Sequence, residues 1–359
     1  MERVAIIGAG VAGAGVVFSL QRTGNSTSVF EKSSTIGGRA ATHSMNDCSY
    51  DFGANYVKSD DPIAEELITE TLDTDGLVDI DAPVWTFSAD GTISQGDERD
   101  EHKWTYEDGI EQLPQRLFAQ TDATIFRDTP VQTVAHEQGR WSLASESGED
   151  LGTFDTLVLT PPAPRSAELI EEMHWDHTLR DELATTIGDI EYRTIYSVLL
   201  HYPFELERPY YALINTDREH EIGWVSREEC KSNHIPDGES LLVVQMAPDW
   251  SARRMNSASV SDSDSDSNSE MNALTVAELT ADLLDDDRLA SPDWTDARNW
   301  QHALPDTDPG ADLDSNSETS ARSRAERHGL YLAGDWLAGD GRIHLALNSG
   351  LETGERIDL

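Results

Sequence analysis

VAIIGAGVAG, residues 4–13, joins a short apolar run to three glycines in the spacing G-x-G-x-x-G. Val4 to Ile7 is apolar at every position, as a strand buried on both faces of a parallel sheet must be. Gly8, Gly10 and Gly13 then let the backbone turn sharply, approach a phosphate and seat a helix, about Val11 to Arg22, against that strand. The helix presents its positive end and its unbonded N–H groups to whatever sits over the turn. Gly8, Gly10, Ala12 and Gly13 are therefore dinucleotide-binding candidates; the competing reading makes the glycines a tight turn and nothing more.

Working outward, Ser28 to Glu31 reads as the second strand of a βαβ unit, with Glu31 at its end, 23 residues after Gly8. A carboxylate there can accept hydrogen bonds from the adenosine ribose hydroxyls and prefers an unphosphorylated ribose. Lys32 stands beside it as a further cofactor-binding candidate. The segment EKSSTIGGRAAT, residues 31–42, adds Gly37, Gly38 and Arg39: paired glycines admit backbone close to a cofactor, and the arginine can neutralise phosphate.

With the glycine fingerprint, the acid and Gly37-Gly38-Arg39 in one stretch, the chain resembles the FAD-dependent amine oxidase superfamily. Val17 departs from the small residue that family usually carries for close packing, and Gly15 is the neighbour that could compensate. The C-terminal stretch GLYLAGDWLAGDGRIHLALNSGLETGERI, residues 329–357, resembles the strand, Gly-Asp pair and last helix with which the superfamily closes its flavin site. The resemblance implies a strand Leu330 to Ala333, Gly334 and Asp335 at the ribityl chain, and Gly339 to Arg342 opening a helix at Ile343 toward the flavin. It also implies that Val131, in DTPVQTV, pairs with the adenine. Read without the resemblance, Asp335 is equally an N-cap and Arg342 a solvated charge.

Four shorter patches resemble the renalase-like branch: YDFGANYV (50–57), LVLTPPAP (157–164), GWVSREECK (223–231) and RNWQHALP (298–305). They imply Tyr56 and Trp300 on the substrate side of the flavin, with Lys231 nearby, and the expected last helix places His344 beside the ring. The alternative readings are core aromatics, a surface charge and a helix cap. Cys48 and Cys230 are the only cysteines and neither falls in the C-terminal segment, so FAD is expected to be noncovalent. No general base is assigned, because hydride transfer mainly requires a substrate held face to face with the ring.

The expected fold class is α/β: a Rossmann-like FAD-binding domain (1–60, 107–165 and 329–359) interleaved with a mixed-sheet, α+β substrate domain (61–106 and 166–328). Within the latter, residues 256–272, with their SDSDSDSNSE core, and residues 306–328 read as solvated acidic loops. The 359 residues carry 68 Asp and Glu against 26 Lys and Arg, a formal charge of -42. That surface repels nucleic acid and anionic membranes and suits a salt-loving source. No signal peptide and no membrane span are expected, and a cytoplasmic protein is. The implied activity is hydride transfer from a small molecule to FAD and on to O2 or another acceptor. Isomeric dihydronicotinamides are the first substrate expectation and amines the second. A FAD- or NAD-binding protein without turnover and an isoprenoid desaturase or isomerase are the remaining alternatives.

Overall fold

The computed structural model describes residues 2–96, 101–258, 265–307, 310, 313 and 317–358. Its centre is a five-stranded parallel sheet in the order Thr124–Phe126, Ser26–Phe30, Arg3–Ile7, Thr156–Leu159, Leu330–Leu332. The first strand lies in the middle, which is why Val4, Ala5 and Ile6 are fully buried. The helices Val11–Leu20 and Ile343–Ile357 cover one face; Gln112–Ala119 packs beside the first of them. On the other face lies an antiparallel sheet of Val131–Glu137, Arg140–Ser145 and Asp150–Phe154. In the third of these strands Gly152 interrupts the apolar alternation that would mark it in the sequence.

A seven-stranded mixed sheet forms the second layer system, ordered Trp294–Pro305, Tyr192–Tyr202, Ser240–Met246, Ile222–Arg227, Ala212–Asn215, Val84–Phe87, Ile93–Ser94. All neighbours are antiparallel except Val84–Phe87 and Ala212–Asn215, which run parallel. This is the α/β plus mixed-sheet architecture expected from the sequence. Two helices, Ala163–Glu172 and Thr178–Gly188, follow the prolines of TPPAP and bury Leu169, Ile170, Leu183 and Ile187 in the core shared with Leu159 and Trp336. Pro164 serves there as an early helix residue, where its missing N–H costs nothing.

Both acidic loops need correction. Helices Pro248–Ala258 and Ser265–Leu284 occupy most of 256–272, with residues 259–264 outside the described residues. Ala273, Val276, Ala277 and Ala281 are buried, and a helix nucleated on that face extends into a polar segment at little cost, since each added residue gains a hydrogen bond. Within 306–328, Ser320 caps a helix Ala321–Glu326 whose Ala321 and Ala325 are fully buried, and Leu313 is buried too. Residues 308–309, 311–312 and 314–316 of that stretch lie outside the described residues. Among the described residues no helix is long and apolar enough to cross a membrane.

Candidate functional site

The glycine turn is closed by sterics. A Cβ on Gly13 would lie 2.2 Å from the Gly8 carbonyl oxygen, and one on Gly8, at φ +105°, would lie 2.5 Å from Thr160 Oγ1. The helix thus rests on the strand end as no larger residue permits. Gly37 comes alongside Gly10 in a parallel bridge, its N–H donating to the Ala9 carbonyl at 2.9 Å.

Two helices begin at this point. Val11–Leu20 starts after Gly10 and Ile343–Ile357 after Arg342; neither has a capping side chain or an acidic residue in its first turn. They pack backbone to backbone. A Cβ on Gly350 would lie 2.2 Å from the Ala12 oxygen, one on Gly15 2.8 Å from the Leu347 oxygen, and one on Gly354 2.5 Å from Ser19 Cβ. Because the contacts advance together along both helices, the two run in the same direction and their positive ends reinforce each other. Gly15 therefore does admit a close neighbour, but the neighbour is the last helix, while Val17 is simply buried.

Both helix starts open on one cavity of about 2580 Å³, well beyond the roughly 300–1,000 Å³ typical of small-ligand sites. Gly8, Gly10, Ala12, Glu31, Lys32, Gly38, Arg39, Val131, Gly334, Asp335, Arg342, Ile343 and His344 all line it, as do Tyr56 and Trp300; Gly13 sits just beneath the turn. Glu31 is 8% exposed and braces the turn, accepting from Ala9 N–H at 2.8 Å and Ser33 N–H at 2.9 Å. An ionised carboxylate has about four acceptor positions, so about two stay open toward the cavity.

Arg39 donates to Asp335 Oδ1 at 2.7 Å and to the Ala303 carbonyl at 2.9 Å. Burial opposes its charge, but the Asp335 carboxylate outweighs burial and raises its pKa. The Gly-Gly-Arg and Gly-Asp segments, 296 residues apart, are thereby one ion pair on the cavity wall. Arg342 pairs with Asp340 at 3.1 Å, and His344 Nδ1 stands 4.0 Å from Asp60.

At the other end of the cavity, Trp300 stacks on Phe52 with ring centroids 5.6 Å apart and donates its indole N–H to the Phe52 carbonyl at 3.0 Å. Tyr56 packs against Trp224 at 6.4 Å and edge-on to Tyr211 at 6.1 Å. Arg298 lies 5.7 Å from the Trp300 ring centroid. Trp224 and Arg298 fall within the quoted patches, yet no role could be assigned to them. Which face a strand residue presents depends on register, here Trp224 against Gln245 and Arg298 against Ser197. Of the cavity's titratable groups, burial lowers the pKa of His302 and raises that of Glu111.

Lys231 needs correction. It is neither on the cavity nor on the surface but 1% exposed, its Nζ 2.8 Å from Asp51 Oδ2 and 2.9 Å from Glu228 Oε1. The 3-10 turn Glu228–Cys230 tucks it inward, where two carboxylates offset the cost of burying a charge. Neither cysteine lines the cavity; burial pushes the Cys48 and Cys230 thiols up to about 11.

Residues 83–358 match the flavin containing amine oxidoreductase family, and residues 6–71 match the NAD(P)-binding Rossmann-like domain. Among solved structures, the chain is similar to a protein described as a protoporphyrinogen oxidase from Exiguobacterium sp. 255-15, with TM-score 0.74 and 15% identity over 99% of this chain and 98% of that one. Cyclohexylamine oxidase from Brevibacterium oxydans IH-35A follows the same fold, with TM-score 0.68, 14% identity and 99% and 98% coverage. So does a conjugated-linoleic-acid-producing fatty acid isomerase from P. acnes, with TM-score 0.69, 14% identity and 100% and 99% coverage. At such identities these likenesses are of fold. The family match spans most of the chain, and the chain accordingly belongs to the flavin containing amine oxidoreductase family and is an FAD-dependent oxidoreductase.

Proposed function

We propose that the protein holds FAD noncovalently and oxidises a small anionic substrate, with isomeric dihydronicotinamide nucleotides the best candidates. The cofactor fits the residues present. The turn at Gly8 to Gly13 and the two uncapped helix starts offer N–H donors to a pyrophosphate and to the flavin's polar edge. Glu31 has acceptor capacity left for a ribose, and Val131, Lys32, Gly38, Gly334, Asp335, Arg342 and Ile343 complete the lining. When bound, FAD supplies a two-electron acceptor at its ring system.

The chain's own residues do the positioning. Tyr56, Trp224 and Trp300 form a largely apolar wall that excludes water and holds a planar substrate flat. The start of the last helix favours negative charge near it, which suits a reduced cofactor. Proton exchange is left to solvent.

The observation that carries the substrate class is the charge of the wall. Among the described residues, ten Lys and Arg and ten Asp and Glu line the cavity, against 26 and 68 in the whole sequence. Three of its four lysines, Lys32, Lys58 and Lys103, are among them. Charges of the two signs cancel on such a wall, so it lacks the attraction for a cationic amine that the acidic remainder of the surface offers and tolerates the phosphates that remainder would repel. Anaerobic stopped-flow mixing with isomeric dihydronicotinamide nucleotides and with amines should bleach the flavin band only for the former. Bleaching by amines alone would overturn the substrate reading. O2 is the proposed acceptor, and peroxide formed in step with substrate oxidation checks it. A redox-neutral isomerase reading, prompted by the fatty acid isomerase fold neighbour, predicts instead a product of unchanged mass and no peroxide. The two interleaved domains, the cytoplasmic location and the salt-loving source stand as further proposals.

A further inference from the structure

The charged cluster around Lys231 is used by nothing above. Asp51, Glu228, Lys231 and His234 are each at most 1% exposed. Lys231 bridges the two carboxylates, His234 Nδ1 meets Glu228 Oε2 at 3.0 Å, and His234 Nε2 meets the Tyr106 carbonyl at 3.0 Å. Asp51 also accepts from Thr42 Oγ1 at 2.7 Å and Ile110 N–H at 2.9 Å, and its own N–H donates to Glu228 Oε2 at 3.1 Å. Asp51, Glu228 and His234 have a spacing that could hold a metal ion, and the Lys231 ammonium already stands there as their cation. With His234 protonated the four charges cancel.

The two carboxylates root the two aromatics of the cavity wall. Asp51 precedes Tyr56 by five residues in DFGANY, and Glu228 follows Trp224 by four at the end of the strand Ile222–Arg227. Tyr211 stands between them, fully buried, edge-on to Tyr56 at 6.1 Å and to Trp224 at 6.3 Å. Its hydroxyl has no hydrogen-bond partner among the described residues and feels the charges of Lys231, Glu228 and Asp51.

We propose that Lys231 is a positioning residue: by bridging Asp51 to Glu228 it fixes Tyr56 against Trp224 and so sets how the substrate ring is held. A bridge between segments 180 residues apart resists the relative sliding that would open the wall, because an ammonium in a dry site cannot exchange one carboxylate for water. This rests on the reading of that wall as the substrate side.

The test compares wild type with Lys231→Met and Lys231→Met/Asp51→Asn as FAD-loaded proteins at molar salt. The double variant removes the bridge but leaves Glu228 and protonated His234 in balance, so it is expected to recover melting temperature lost by the single variant. Positioning predicts that it nonetheless keeps a roughly tenfold higher KM for dihydronicotinamide nucleotide, with an unchanged flavin spectrum. Recovery of both melting temperature and KM would reduce the cluster to a stabilising role and overturn the proposal. Near-ultraviolet circular dichroism gives a readout independent of substrate: the double variant should differ from wild type, and the difference should vanish in a Trp224→Phe background. A difference that survives Trp224→Phe would place the effect elsewhere. If wild type oxidises no dihydronicotinamide, the substrate reading fails while the dichroism still decides the wall.

Discussion

Two buried ion centres join distant parts of this chain, and they differ in their access to the cavity. Arg39 and Asp335 meet at 2.7 Å on its wall, with the arginine side chain 28% exposed. Lys231, Asp51, Glu228 and His234 are sealed from it and from solvent. The open pair can exchange partners when a ligand arrives, since water and a ligand's phosphates can both reach its guanidinium. The sealed quartet cannot, so it suits fixed geometry. One centre answers to occupancy and the other to architecture.

The strongest way to break the contrast is Lys231→Met. Removing one partner from a sealed centre leaves carboxylates uncompensated, and about 3–5 kcal/mol of stability should be lost, read as a large fall in melting temperature. Arg39→Met at the open centre should cost only about 1–3 kcal/mol, because water can replace the guanidinium. Its larger effect should be on cofactor retention, measured as FAD lost on dilution. Equal losses of stability at the two sites would erase the distinction.

The pH response sharpens it further. Burial pulls the His234 pKa down, but Glu228 more than reverses this, so its folded value is raised. Its stabilising contribution is then complete below about 6.5, the unfolded value, and is lost as pH rises through the folded one. His136 and His328 are depressed, chiefly by burial and then by neighbouring histidines. Their contribution is present above about 6.5 and is lost as pH falls. Melting temperature should therefore pass through a maximum with pH, and His234→Asn should flatten the alkaline side alone. The smallest effect expected is on salt response. Going from about 0.1 to 1 M salt shortens the Debye length from about 10 to 3 Å, which should shrink the Arg39→Met penalty by under about 1 kcal/mol and leave the Lys231→Met penalty unchanged.

The same contrast explains what could be read in advance. Gly8 to Gly13, Glu31 and Gly334-Asp335 are legible because short spacings encode a turn, a strand end and a helix start within a few residues. Arg39 could be picked out as a cation beside a cofactor, but its partner lies 296 residues away and only the fold names it. The place of Lys231 is illegible for the same reason. Its burial depends on Asp51, which no local pattern connects to it. Trp224 and Arg298 escaped because a slip of one residue in register would turn them away from the cavity. The acidic helix starting at Ser265 escaped because its stability comes from the buried face of residues farther along, not from its own polar side chains.

The glycine seam between the first and last helices has a consequence for how the protein is made. The phosphate turn leaves the ribosome long before the helix that packs on it at Gly15, Gly350 and Gly354. Domains usually assemble from the N-terminal end as synthesis proceeds, at roughly 5–20 residues per second. Here the βαβ unit must wait with Gly15 uncovered until Ile343–Ile357 is made. Cofactor capture can be completed only once that helix has emerged, and a nascent chain stalled before residue 343 has a complete glycine fingerprint and only half a binding site.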